Sequence, residues 1–300
     1  MIREFSDVRA VLWVLLAATV LTIELFYPRT IVFLIWPGCY LALAAGVIAH
    51  NHKHRSTFRS KAINQVWDCA LSVFYGYPVF AWVPTHNENH HRFVNRPGDE
   101  TATWRLGNSH DPVRAALYSF VSSYHQSRLI VGFLRNARAE SPTVYLGALA
   151  QYGALGSAHL AAIVFAVLHH GWVTGLSAWL FAMVLPAVFA LWTIMFFNYE
   201  QHVHADPWSD FDHSRNFTGR IANFFLFNNG YHTAHHRNPG MHWSRLPKAH
   251  SAIAASVHAD LSEPNVLAYL YRQYVLTPLG FSNGTEQLGG SPKRASTVRS

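Results

Sequence analysis

The chain has 300 residues, half of them hydrophobic and only 13% charged, with a formal net charge of +7. Soluble globular domains carry about 25% charged residues, so lipid is the expected solvent for much of this chain. Two cysteines, Cys39 and Cys69, exclude a disulfide framework or a zinc-thiolate site, and no basic run is interleaved with aromatics as a nucleic-acid platform needs. That leaves an anionic lipid surface or an acidic redox partner as the use of the positive charge.

A helix needs about 20 residues to cross a bilayer. Four apolar stretches qualify, at residues 10–27, 30–49, 144–168 and 172–197. Pro28 and Arg29 alone separate the first two, and His169, His170 and Gly171 the last two, so each pair predicts a helical hairpin with a tight turn. Two hairpins put both termini and the long middle segment on one side of the membrane. Of 23 basic residues only Arg29 lies in a hairpin turn, so the positive-inside rule makes the other side of the hairpins, with the remaining 22, the cytoplasmic one. The first run lacks a small-residue cleavage site and is followed at once by another span, which reads as a retained helix and not as a signal peptide.

Between the hairpins, residues 70–83 (ALSVFYGYPVFAWV) are apolar, too short to span and interrupted by Gly76 and Pro78, which predicts a helix in the interface or re-entering it. Residues 112–134 mix Arg114, Tyr118, Tyr124 and Arg128 with aliphatics and predict a second interfacial helix. From residue 282 the chain is polar and rich in Gly and Ser, which predicts a disordered tail over 282–300 behind a single membrane-embedded domain of residues 1–281. The expected fold class is an all-α membrane protein of two transmembrane hairpins.

The 20 histidines are clustered. His50 and His54 (HNHKH) follow the second span, and i, i+4 spacing on a continuing helix places both on one face, with His52 pointing elsewhere. His86, His90 and His91 (HNENHH) follow the short apolar stretch and converge only if that segment is helical. Asn198 and His202 (NYEQH) sit one turn apart just past the fourth span, mirroring the first cluster, while His204 faces away. His232, His235 and His236 (HTAHH) form the last group. Nine imidazoles are too many for one ion, since an octahedral centre takes about six and zinc usually four, so two metals are the economical reading. Imidazole suits iron, copper, zinc or nickel; redox chemistry inside a membrane protein favours iron or copper. A single HxxxH at a helix end is more often a snorkelling pair than a ligand pair, but four clusters on one predicted face are a metal signature. His159, His169, His170, His110, His125, His213, His242, His250 and His258 lie apart from them and read as structural.

The four motifs, HxxxH at 50–54, HxxxHH at 86–91, NxxxH at 198–202 and HxxHH at 232–236, together with the closing stretch GYHTAHHRNPGMHWSRLP, resemble those of the integral-membrane fatty acid desaturase superfamily, which includes acyl desaturases, alkane hydroxylases and carotenoid ketolases. The resemblance implies a mushroom-shaped helical fold, a di-iron centre in a cytoplasmic cap, and a hydrophobic tunnel for an acyl or alkyl chain. By motif match His50, His54, His86, His90, His91, His202, His232, His235 and His236 are expected to ligate two non-haem irons, with Asn198 holding a metal-bound water and no catalytic residue beyond the ligands. O₂ is the expected co-substrate. A bacterial-type inner membrane is the expected location, with termini and active site on the cytoplasmic side.

The expected reaction is desaturation of a long fatty acyl chain, as acyl lipid or acyl thioester; hydroxylation on the same scaffold is the alternative. A membrane metal carrier or sensor is a third reading, but it needs a polar path through the spans, which contain little beyond Glu24, Gln151 and His159. No ferredoxin-like cysteine motif or nucleotide-binding glycine loop is visible, so electrons are expected from a separate protein such as a ferredoxin, a rubredoxin or a cytochrome. Glu88, Glu200, Asp206 and Asp212 are acceptors that could orient ligand imidazoles, and Arg92, Arg96 and Arg215 could receive the phosphate of an acyl carrier or a phospholipid head group.

Overall fold

Tyr27 and Pro28 interrupt one apolar run, and Gly171, at a φ of 77° that favours glycine, interrupts another. In the computed structural model, which describes residues 1–290, the chain folds at these points into two helical hairpins. The first is α1 (Val8–Phe26) with α2 (Ile31–His54). After α3 (Lys61–Tyr75) and α4 (Pro112–Glu140) comes the second, α5 (Pro142–His170) followed by α6 (Trp172–Trp179) and α7 (Leu185–His202). Pro186 has no N–H and would clash with the carbonyl four residues before it. The helix widens to a π turn at Leu180–Val184, where the Leu185 N–H reaches the Leu180 carbonyl, and Trp172–His202 continues as one helix. Four helices are therefore long and apolar enough to cross a membrane, Phe5–Phe26, Pro28–His54, Pro142–His170 and Trp172–His202. Large apolar side chains such as Leu12, Leu16, Leu160, Val164 and Leu168 stand exposed along them, as lipid-facing residues do.

The described residues divide into two compact units, Met1–Val83 with Val131–Ile194, and Pro84–Ile130 with the described residues from Met195 onward. In the first unit α1 packs on α2, α2 on α3, α3 on α5, and α5 on α6. Small residues allow the close approach: a Cβ on Gly46 would come within 2.5 Å of Ile194 and 2.7 Å of Tyr75. The apolar stretch at 70–83 is the end of α3 followed by a break. Gly76 adopts a φ of 86°, and a Cβ there would lie 2.1 Å from the Cβ of Ala187, so glycine is required both by conformation and by contact. The break frees backbone donors in an apolar setting. Ser72 accepts from the Val79 N–H at 3.0 Å, and Gln151 of α5 accepts from the Phe80 N–H at 2.8 Å. A glutamine in a membrane-spanning helix is thus explained by the backbone it satisfies.

The second unit contains the only strands among the described residues, β1 (Asn216–Phe217) and β2 (Ser262–Glu263), paired in parallel with Asn216 opposite Ser262. Around them lie α8 (Arg220–Phe225), α9 (His232–Arg237), α10 (Leu246–Ile253) and α11 (Val266–Tyr271). Hydrogen bonds reach into the tail expected from residue 282 as far as Leu288. The Leu288 N–H bonds the His204 carbonyl at 2.9 Å, Gln287 bonds the Ala205 carbonyl at 2.8 Å, and Thr285 bonds His110 and His204. Residues 291–300 of that expected tail lie outside the described residues.

Candidate metal centre

In the first unit, α2 continues past its apolar part and carries His50 and His54 one turn apart, with ring centroids 4.8 Å from each other and His50 edge-on to Trp82 at 5.1 Å. His52 points away, as the spacing predicts, but it is buried and bonded. Its Nδ1 accepts from the Thr57 N–H at 3.0 Å, so the proton sits on Nε2, which faces Asp68 at 3.4 Å. Lys53 meets the same carboxylate at 2.7 Å. Together they fasten the end of α2 to α3.

The segment Val83–His90, almost all of it in the second unit, is π-helical. Its wider turn aligns residues five apart, so His86 pairs with His91, their Nε2 atoms 3.0 Å from each other, and not with His90. His235 of α9 adds a third nitrogen, 3.1 Å from that of His91. His90 turns to a different group: its Nε2 lies 3.0 Å from Nε2 of His202, which is 3.0 Å from Nε2 of His232, which is 3.1 Å from Nε2 of His236. The ligand atoms of His90, His202, His232 and His236 all fall within 4.8 Å of one another. Adjacent histidines in HNENHH and HTAHH thus serve different groups, because neighbours on a helix point in different directions.

Hydrogen bonding at the far side of the rings fixes which nitrogen carries the proton. Asp99, fully buried, faces His90 Nδ1 at 2.9 Å, and the His213 carbonyl faces His202 Nδ1 at 3.1 Å. A carboxylate and a carbonyl only accept, so each ring presents these acceptors with a proton on Nδ1. With Nδ1 so engaged, two Nε2 atoms 3.0 Å apart need a cation between their lone pairs, a proton or a metal ion. Two imidazole nitrogens bound about 2.1 Å from one ion at right angles are about 3.0 Å apart, so the observed spacings fit a shared metal ion. Burial pushes the His236 pKa well below its ordinary value, reinforced by His91 and His232, and holds the ring in the neutral form that binds metal.

The supporting residues differ from those expected. Asp99, not one of the four carboxylates singled out in the sequence, is the one that bonds His90. Burial raises its pKa, but its pairing with His90 and the bonds from Thr101 and the Asn95 N–H outweigh burial and hold it at about 2. Glu88 is exposed, and Asp206 and Asp212 accept from the Trp208 and His258 N–H groups. Glu200 is buried and collects Tyr269 at 2.8 Å, Tyr274, and His110 at 3.1 Å. Arg215 does not wait for a phosphate: it is buried against the Glu200 and Val203 carbonyls at the end of α7, where a cation suits the helix C-terminus. Asn198, on α7 one turn before His202, donates to the Tyr118 hydroxyl at 2.6 Å, and Tyr118 donates to the Thr101 carbonyl at 2.5 Å. With its amide nitrogen engaged, Asn198 has its oxygen left to accept from a water. His213, read as structural from sequence, supplies the carbonyl behind His202 and places its own ring 5.5 Å from that of His236.

A family model described as fatty acid desaturase matches residues 25–263. None of the curated proteins and none of the solved structures matches the chain.

Proposed function

The chain belongs to the fatty acid desaturase family, and from that premise we propose that it introduces a double bond into a long saturated acyl chain, carried as acyl lipid or acyl thioester, at a centre of two non-haem irons with O₂ as co-substrate. The observation that best supports a metal centre is the convergence of His90, His202, His232 and His236, whose nitrogens all lie within 4.8 Å of one another, with an acceptor behind His90 and His202.

The seven imidazoles of the second unit form two groups, and a donor set of neutral nitrogens suits iron. His86, His91 and His235 would hold one ion and His90, His202, His232 and His236 the other. His50 and His54 are proposed as further ligands and Asn198 as a ligand through water. Iron when bound supplies the O₂-derived oxidising power that an unactivated C–H bond requires. The protein's own contribution is to keep the ligand lone pairs free of protons and correctly aimed. Asp99 and the His213 carbonyl do this for His90 and His202, and the Tyr118 hydroxyl fixes the amide of Asn198. Geometry at the bound chain then decides which methylene is attacked. Electrons come from a separate ferredoxin, rubredoxin or cytochrome, and the basic excess of the chain suits an acidic donor. We place the centre on the cytoplasmic side of an inner membrane, following the distribution of Lys and Arg.

Metal analysis of the purified protein, paired with mass spectrometry of lipids from cells expressing it beside a donor protein, tests the reading. The expected result is about two irons per chain and acyl chains lighter by a pair of hydrogens, both lost in a His235→Ala, His236→Ala double variant. Acyl chains that gain one oxygen atom would assign hydroxylation instead; iron-free protein with unchanged lipids would end the oxidation reading.

A further inference from the structure

Glu24 stands on α1 at 1% exposure, and among the described residues no donor reaches its Oε1. It borders a half-enclosed cavity of about 30 Å³ within the first unit, walled by Val20, Gly38, Leu41, Phe74 and Met183. Every other residue lining the cavity is apolar. Two features keep the space open. Gly38 offers no side chain, and a Cβ there would sit 3.6 Å from each carboxyl oxygen of Glu24. Opposite, the π turn at Leu180–Val184 and Pro186 break the regular surface of the fourth span. Leu21, Val73 and Phe74 at the rim are only partly buried.

An ionisable side chain in a membrane-spanning helix is costly and needs a partner. The cavity decides which partner fits. A water between apolar walls is best held by two to four separate polar partners, and Glu24 is the only polar side chain in the lining. An ammonium brings three donors, of which apolar walls would leave some unmet. A hydroxyl on a carbon chain brings one donor, which a single carboxyl satisfies, while the chain covers the apolar wall and leaves past the rim.

We propose that the cavity at Glu24 is a binding site for the hydroxyl end of a long-chain alcohol drawn from the bilayer, the hydroxyl donating to Glu24 and the alkyl chain passing out by Leu21 and Phe74. This site uses no metal ligand and stands or falls apart from the oxidation chemistry.

The test is photolabelling of the purified full chain in lipid nanodiscs with a 1-dodecanol carrying a diazirine beside the hydroxyl carbon. Matched probes built on dodecane and dodecylamine are run in parallel, with labelled peptides read by mass spectrometry. The alcohol probe is expected to label peptides containing Glu24 or Gly38 saturably, and excess unlabelled 1-dodecanol to suppress that label. Glu24→Leu is expected to reduce it about tenfold, the loss of one buried hydrogen bond. Gly38→Ala, whose methyl would take the place of the hydroxyl while leaving the carboxyl, is expected to reduce it as well; this variant decides the matter should Glu24→Leu not fold. Equal labelling by the dodecane probe would reduce the site to an apolar crevice, preferential labelling by the amine would assign a cation instead, and label indifferent to both substitutions would place the alcohol elsewhere. Each of these three results overturns the proposal.

Discussion

A carboxylate can only accept, so Asp99 draws the imidazole proton of His90 to Nδ1 and leaves the Nε2 lone pair facing its neighbours. Asp99→Asn keeps the size of the side chain but offers an amide N–H where a pure acceptor stood, and it removes the negative charge behind the ring. Metal affinity is expected to fall by about 10- to 100-fold, as substitutions behind metal-ligating histidines do. Competition between the protein and a chelating dye for Fe²⁺ or Co²⁺ measures it; unaltered affinity would mean that Asp99 does not set the state of His90. The clustering of the histidines is legible because helical periodicity marks it, whereas Asp99 is not. It lies nine residues beyond His90 in a chain of tight turns, where spacing carries no directional information, and it reaches the ring through bonds from Thr101 and the Asn95 N–H. Glu88 and Glu200 lie nearer the clustered histidines in sequence, but proximity along the chain does not aim a side chain.

At the scale of elements, the four spans were legible because apolar length is a local property, and their ends fell within a few residues of those expected, the last running on to His202. The π turns were not legible. An α-helical reading of HNENHH pairs His86 with His90, and only the wider turn at Val83–His90 pairs His86 with His91. The break before that segment depends on Gly76, whose φ of 86° and contact with Ala187 both reject a side chain. Gly76→Ala is expected to destabilise the protein by about 2–4 kcal/mol, combining the cost of a left-handed alanine with overpacking. Adding Ala187→Gly removes the contact but not the conformational cost, so the double variant should recover part of the loss. Thermal unfolding in detergent measures both, and full recovery in the double variant would show that conformation at residue 76 costs nothing.

Over the whole molecule, the second unit buries imidazoles that the unfolded chain would expose to water, which links stability to pH and to metal. An unfolded histidine takes up its proton near pH 6.5. In the folded chain burial, helped by Arg237, lowers the His213 pKa to about 4, and burial with His91 and His232 lowers that of His236 well below its ordinary value. Below pH 6.5 the unfolded state therefore binds protons that the folded state refuses, and stability falls as pH falls; His213 alone accounts for on the order of 3 kcal/mol by pH 4. Asp99 acts in the same direction further down, its contribution present above its unfolded value of 3.8 and lost as pH approaches 2. A bound ion works against this loss, because it binds only the assembled lone pairs and stabilises the folded state by about 4 kcal/mol at a free concentration a thousand times its Kd. Removing metal with a chelator at pH 7 is expected to lower the thermal unfolding midpoint of the detergent-solubilised protein, and the chelated protein should lose stability further between pH 6.5 and 4. A midpoint insensitive to chelator would mean that no ion links the clustered histidines, and a midpoint that rises on acidification would mean that they are held as charged groups, partnered by carboxylates and not by metal.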